Sequence, residues 1–123
     1  MIIGVGVDIV EVSRIAAAVS HPRTGERFRQ RVFTPGEDAY CNRRRHSAES
    51  FAARFAAKEA VMKALGGGFS WQEIEVMRHR DAAPSIVLHR RAAARAQELG
   101  VRRWHLSLSH TAAQAIAYVI AES

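Results

Sequence analysis

Residues 51–66, FAARFAAKEAVMKALG, constrain the fold of this chain more than any other stretch. At about 100° per residue, Phe51, Phe55 and Met62 share one narrow stripe, with Glu59 and Lys63 along one border and Arg54 and Lys58 along the other. Alanine at 52, 53, 56, 57, 60 and 64 gives strong helix propensity and lets a neighbouring backbone or a ligand come close. Gly66, Gly67 and Gly68 then stop the helix. The spacing therefore predicts a helix whose apolar seam is bordered by charge on both sides. The only two lysines of the chain, Lys58 and Lys63, lie in it, whereas the other sixteen basic residues are arginine. A lysine is a compact, mobile point charge where arginine is a planar fork, so this helix is a place where such a charge has a use.

Residues 2–10 alternate, with Ile3, Val5, Val7 and Ile9 on one face of a predicted strand and Gly4, Gly6 and Asp8 on the other. Asp8 thus ends a bare glycine lane, and two readings follow. Either the glycines admit a packed backbone and Asp8 caps the next helix, or Asp8 is a carboxylate held on a rigid strand end beside open space. A helix is expected from Glu11 or Val12 to about Val19, interrupted by HPRTG at 21–25, before the basic stretch ERFRQRVF resumes at 26. Arg14, Arg23, Arg27, Arg29 and Arg31 crowd this region. They suit a solvated face, or a surface that docks an acidic helix or phosphates.

Thr34, Pro35 and Glu37 are the N-cap, N1 and N3 of a capping box that starts a helix through about Tyr40. RRRH at 43–46 reads as a surface loop or as a phosphate-contacting one. After the central helix, strands at 73–77 and 85–89 form a hairpin around a loop containing DAAP. A helix at 90–99 closes on Gly100, and strands at 101–110 and 115–122 flank a tight turn near 111–114. In the first of these, Trp104, Leu106, Leu108 and His110 face one way and His105, Ser107 and Ser109 the other. The pattern is an α+β fold with a mostly antiparallel sheet packed with helices. No linker divides residues 1–123, so one domain is expected.

The formal charge of +6 calls for an anionic partner, whether nucleic acid, an acidic protein or a phosphorylated small molecule. Phe and Trp are few and not interleaved with Arg, which argues against nucleic acid. One cysteine, Cys41, excludes an internal disulfide and a zinc cluster, so a cytoplasmic location is expected. The apolar start is broken by Asp8 and lacks a basic leader, so neither a signal peptide nor a membrane anchor is indicated. No P-loop or dinucleotide fingerprint is present.

Glu59 and Lys63, spaced i,i+4, read by themselves as a helix ion pair worth about 0.3–0.5 kcal/mol. Their meaning changes if Asp8 meets Glu59. Two carboxylates on rigid elements suit a magnesium ion that keeps waters and takes its other oxygens from a substrate phosphate, with Lys63 offsetting charge on the same phosphates. At the end of LSLSHT, Ser109, His110 and Thr111 offer several donors to a phosphate. A histidine at a strand end is also commonly structural.

Taken together, GVGVDIVEVSRI at 4–15, FTPGE at 33–37, RFAAKEAVMKALG at 54–66, WQEIEV at 71–76 and LSLSH at 106–110 resemble the holo-acyl-carrier-protein synthases, the short-chain bacterial 4'-phosphopantetheinyl transferases. The resemblance implies magnesium-dependent transfer of phosphopantetheine from coenzyme A to a serine of apo acyl carrier protein. The other product is adenosine 3',5'-bisphosphate, and the reaction serves fatty acid biosynthesis. It implies Asp8 and Glu59 as metal ligands, Lys63 beside them on the reacting phosphates, and these three as the catalytic set. It further implies Arg54, Lys58, Lys63, Ser109, His110 and Thr111 as coenzyme A contacts, with Glu59 or a water at the metal as proton acceptor. Arg14, Arg23 and Arg27 would dock the acidic carrier, and homotrimers with sites between subunits are expected. This chain departs from the family pattern at Ala82, where a glycine is common two residues before the proline that is here Pro84.

Overall fold

The computed structural model describes residues 1–78 and 82–123. In chain order it comprises β1 (Ile2–Glu11), α1 (Val12–Ser20), α2 (Gly25–Val32), α3 (Pro35–Arg43), α4 (Ser47–Leu65), β2 (Ile74–Met77), β3 (Ser85–Leu88), α5 (Arg90–Leu99), β4 (Arg103–His110) and β5 (Gln114–Glu122). A short 3-10 turn, Trp71–Glu73, leads into β2. Asp81, which opens the expected DAAP loop, lies outside the described residues. β1, β5 and β4 form an antiparallel sheet in that order, and β2 and β3 a second antiparallel pair, so the fold is α+β as expected. Among the described residues no helix is long and apolar enough to cross a membrane.

The elements begin and end where local chemistry dictates. Thr34 Oγ1 accepts from the Glu37 backbone N–H and the Glu37 carboxylate accepts from the Thr34 N–H, the predicted capping box, a motif worth about 1 kcal/mol. Gly66 and Gly100 close α4 and α5 with φ of 74° and 82°, where a Cβ is costly. α3 runs three residues past Tyr40, to Arg43.

The central helix departs from its expected form in two ways. α4 starts at Ser47, four residues before Phe51, and it is buried nearly all round, Arg54 and Lys58 included. An apolar seam bordered by solvated charge would hold for a helix lying on one surface. This one has β1 and β5 on one side and α1, α3 and β2 on others. Phe51, Phe55, Val61 and Leu65 fill the core around it, each contributing about 1.5–3 kcal/mol by burial.

The strand β1 meets α4 through its glycine lane. A Cβ on Gly6 would overlap the carbonyl oxygen of Ala60 and lie 2.7 Å from its carbon, and one on Gly4 would meet Ala64 the same way. Asp8 does not cap α1, whose N-cap is Glu11 without a side-chain bond. The opposite lane of β1 faces out. Across the sheet, its rows are Ile9–Ile116–Ser109, Val7–Tyr118–Ser107 and Val5–Ile120–His105, and Val5, Val7, Ile9, Ile116 and Tyr118 are exposed.

Gly6→Ala should therefore cost about 2–3 kcal/mol or more, because the clash is with helix backbone that has no rotamer to change. Thermal melts read this directly, and an unshifted midpoint would contradict the strand–helix contact.

Candidate active site

The close approach of β1 to α4 carries the next inward residue, Asp8, to the charged border of the helix. Lys63 Nζ donates to Asp8 Oδ1 at 3.2 Å and to the Val7 carbonyl at 2.9 Å. Lys63 thus ties α4 to the strand, and among the described residues its ion pair is with Asp8 instead of the i,i+4 partner Glu59. Burial, and then the nearby Asp8 charge, push the Glu59 carboxyl above its ordinary range, while Lys63 and Arg14 pull it back. Asp8, Glu59, Lys63 and Arg14 therefore form one electrostatic group, joined from β1, α4 and α1.

A second negative charge beside the Glu59 carboxylate is what a divalent cation relieves. Among the described residues no third His, Cys, Asp or Glu joins them in a metal-binding group. An all-oxygen pair with no further protein ligand suits magnesium, which binds through one or two carboxylates and completes its shell with water and phosphate oxygens. The residues present fit that ion.

A second polar region lies at the other end of α4. Arg43, Arg44, Arg45 and His46, from the α3–α4 connection, line a groove of about 330 Å³ with Glu49, Ser50 and His110. His110 Nδ1 is 3.2 Å from Glu49 Oε2. Ser109 and Thr111 stand differently. Ser109 is exposed on the outer face of the sheet, paired with Ile116. Thr111 Oγ1 accepts from the Ala113 and Gln114 N–H groups and so shapes the β4–β5 turn.

Arg54 is buried, with its guanidinium carbon 4.3 Å from the centroid of the Tyr40 ring and Nη1 donating to Ser50 Oγ at 3.2 Å. Its Nε is buried without a partner. Arg54 also borders a cleft of about 200 Å³ shared with Tyr40, Arg43, Glu75 and Arg78.

Lys58 requires a correction. Its ammonium is fully buried and makes three bonds: to Glu37 Oε1 at 2.7 Å, to the Trp71 carbonyl at 3.0 Å and to the Ile74 carbonyl at 2.5 Å. Burial pulls its pKa down and Glu37 opposes that pull. With all three donors spent inside the core, Lys58 has none left for coenzyme A. Its work is to pin α4 to α3 and β2.

Sequence reasoning saw Glu37 only as a cap. It also accepts from the Val76 N–H at 2.7 Å, making it a junction of three elements. Glu49 and Glu73 were missed altogether. Glu73 accepts from the Ser70, Arg91 and Ala92 N–H groups. Burial alone would raise its pKa, but these bonds outweigh it and hold the carboxyl below its ordinary value. No local pattern announces a helix cap supplied from eighteen residues upstream. Arg14 on α1, Arg23 in the α1–α2 connection and Arg27 on α2 are exposed. Arg29, by contrast, is spent on the Val19 carbonyl and Asp38.

The model of the 4'-phosphopantetheinyl transferase superfamily matches residues 4–119. The chain is 52% identical to the holo-[acyl-carrier-protein] synthase of Koribacter versatilis, over 99% of each chain. Among solved structures, the Neisseria meningitidis holo-[acyl-carrier-protein] synthase superposes with a TM-score of 0.87 at 32% identity, covering 100% of both chains. The Bacillus anthracis enzyme in complex with CoA (3',5'-ADP) superposes at 0.79 with 32% identity, covering 100% of this chain and 98% of that one.

Lys58→Ala should lose about 3–5 kcal/mol in urea denaturation, since it leaves Glu37 as a buried charge without its partner. Lys58→Met combined with Glu37→Gln should recover part of the loss. A cost below about 1 kcal/mol for the single variant would contradict the buried pair.

Proposed function

The chain belongs to the 4'-phosphopantetheinyl transferase superfamily, as a phosphopantetheinyl transferase of the holo-[acyl-carrier-protein] synthase kind, and from that premise we propose that it moves 4'-phosphopantetheine from coenzyme A to a serine of apo acyl carrier protein. The other product is adenosine 3',5'-bisphosphate, and the reaction serves fatty acid biosynthesis in the cytoplasm. Residues 1–123 act as one transferase domain. The observation that carries this reading is the meeting of Asp8 with Lys63 and Glu59, 51 positions apart in sequence for the two carboxylates, at one place on the surface.

In the proposed reaction the serine oxygen attacks the β-phosphorus of coenzyme A in line. The new P–O bond forms as the bond to the departing adenosine 3',5'-bisphosphate breaks, and the serine proton is released. Asp8 and Glu59 would hold Mg²⁺, whose charge, when bound, offsets that of the pyrophosphate. Lys63 Nζ, on a side chain 55% exposed, reaches out of the site and stabilises the negative charge that grows on the leaving phosphate. Glu59, or a water held beside it at the metal, would take the serine proton.

Coenzyme A carries phosphates at two separated places, and the structure offers two polar regions. The pyrophosphate belongs beside Lys63. The 3'-phosphate suits the Arg43–His46 groove, with His110 and the partly unsatisfied Arg54 as further contacts. Arg14 is both exposed and close enough to Glu59 to influence its charge, so an acidic carrier docked on Arg14, Arg23 and Arg27 would deliver its serine to the carboxylates. That docking is long-range and should weaken with salt. The exposed apolar sheet face, Val5, Val7, Ile9, Ile116 and Tyr118, supports a homotrimer in which each copy covers its neighbour's sheet.

Intact-mass analysis of apo acyl carrier protein incubated with the chain, coenzyme A and Mg²⁺ tests the reading. A gain of one phosphopantetheine, lost on chelation, is expected, and no gain with folded protein overturns it. Glu59→Gln should cut turnover by about two orders of magnitude or more while leaving the metal-free fold as stable or more so at pH 7. The folded protein holds the Glu59 proton more tightly than the unfolded chain does. Its stabilising contribution is therefore present below the ordinary glutamate pKa and lost as pH rises through the higher folded value. A Glu59→Gln variant that melts well below the parent at pH 7 would contradict this. Arg14→Glu should raise the KM for the carrier several-fold and that for coenzyme A little; equal changes in both would remove α1 as the docking surface.

A further inference from the structure

Two guanidiniums lie over the ring of Tyr40, on α3: that of Arg54, its carbon 4.3 Å from the ring centroid, and that of Arg44, at 5.5 Å. The two arginines come from different elements. Arg44 is the C-cap of α3, four residues after Tyr40, and lines the basic groove. Arg54 is on α4 and borders the smaller cleft, which Tyr40 also lines. Ser50, which accepts from Arg54 Nη1 at 3.2 Å, is itself a wall of the groove. Tyr40 thus stands where the two basic regions join, and it gathers two like charges that would otherwise repel.

What holds an arginine decides whether its charge can be used. A carboxylate fixes a guanidinium but cancels its charge, so an incoming phosphate must displace it. An aromatic face attracts the cation through its quadrupole and carries no net charge, so the arginine stays positive. Among the described residues the arginines in ion pairs are Arg29, Arg95 and Arg103. Arg44 and Arg54 are held by the Tyr40 ring instead, and Arg54 also by the neutral Ser50 hydroxyl. The carboxylates that line the cleft are engaged by other groups: Glu37 by Lys58 at 2.7 Å, and Glu75 by the Thr34 hydroxyl at 2.9 Å and His89 at 3.0 Å. Glu49, on the groove wall, lies 3.2 Å from His110.

We propose that Tyr40 is a positioning residue for Arg44 and Arg54, its ring face holding both guanidiniums with their charge intact for the 3'-phosphate of coenzyme A. The proposal rests on the coenzyme A reading above and deepens it. Tyr40 acts through the two arginines and not on the reacting atoms. Arg44 is exposed, and without the ring its long side chain would have to be ordered by the ligand, which lowers affinity. A simpler role is available to a half-buried ring packed against the core, that of filling space. Substitution separates the two. Tyr40→Leu keeps apolar bulk and removes the π face; it should raise the KM for coenzyme A about 3- to 10-fold, with kcat and the KM for the carrier little changed. Tyr40→Phe, which keeps the face, should retain the parental KM. With dephospho-coenzyme A, which lacks the 3'-phosphate, Tyr40→Leu and the parent should have the same KM. A parental KM for coenzyme A in Tyr40→Leu, or an equal rise with both substrates, overturns the proposal.

Replacing Tyr40 by mono-, di- and trifluorophenylalanine covers the case in which Tyr40→Leu does not fold, since fluorine drains the ring quadrupole and scarcely alters its shape. The KM for coenzyme A should rise with each fluorine, and a flat series overturns the proposal. The parent and Arg44→Ala test the reading beneath it. A parent that prefers coenzyme A to dephospho-coenzyme A, and loses that preference in Arg44→Ala, while the fluorinated series stays flat, would overturn the role of Tyr40 and leave the groove assignment standing. A parent with one KM for both substrates would overturn the groove assignment and the role of Tyr40 together. Phosphopantetheine transfer by the parent, measured alongside, keeps either outcome apart from loss of the reaction itself.

Discussion

The site depends on a contact in which no side chain takes part. Where β1 crosses α4, Gly4 and Gly6 lie against the carbonyls of Ala64 and Ala60, so a strand and a helix approach at backbone distance. Side chains between two elements can repack; two backbones in contact have almost no way to adjust. Asp8 extends the same inward lane, and its carboxylate is therefore placed by rigid main chain beside a helix that already carries Glu59 and Lys63. Rate enhancement in phosphoryl transfer comes largely from positioning and electrostatics. A carboxylate pair set by such a contact needs little reorganisation to receive a cation and a phosphate.

The two lysines of the chain divide their work. Lys63 stands at the surface with one bond to a carboxylate and one to a carbonyl, free to shift to another anion. Lys58, five residues earlier, faces the opposite way and is closed inside the molecule by Glu37 and two carbonyls. The same functional group is a mobile charge in one setting and a fixed strut in the other. What separates them is which flank of α4 each occupies: the flank toward α3 and β2 is covered, and the flank toward Asp8 is open. Glu37 completes the strut, since its two oxygens also satisfy the N–H groups of Thr34 and Val76.

Much of the fold was legible in the sequence because its signals are local. The capping box at Thr34, the glycine stops at 66 and 100 and the period-two lanes of β1 and β4 each depend on neighbours within a few residues, and each is found in place. The meeting of Asp8 with the α4 border was legible as a possibility, because a glycine lane leading to a carboxylate invites a close partner. The burial of Lys58 was not. A charged residue bordering an apolar seam reads as solvated, and only the distant Glu37, Trp71 and Ile74 make its burial tolerable. Glu49 escaped for a related reason: its partner lies 61 positions away on another element, and neither residue carries a local sign of the pairing.

The position of Ser109 bears on how the two phosphate regions can belong to one ligand. Asp8, Ala117 and Leu108 form one row across the sheet facing α4, while Ile9, Ile116 and Ser109 form the next row facing outward. Ser109 and Asp8 are thus on opposite sides of the sheet in a single copy. Along α4, Glu49 and Glu59 are ten residues apart, about 15 Å at helical rise. A single copy therefore spreads its polar groups over two faces and over the length of its longest helix. On the proposed trimeric assembly, the outer face that bears Ser109 among Ile9, Ile116 and Tyr118 meets a neighbour. Asp8, Glu59 and Lys63 come together on the inner side of the same copy. On that assembly the apolar rows and the polar residue at their end would have one explanation, since the surface joining two copies would also be one across which a long ligand phosphorylated at two places is shared.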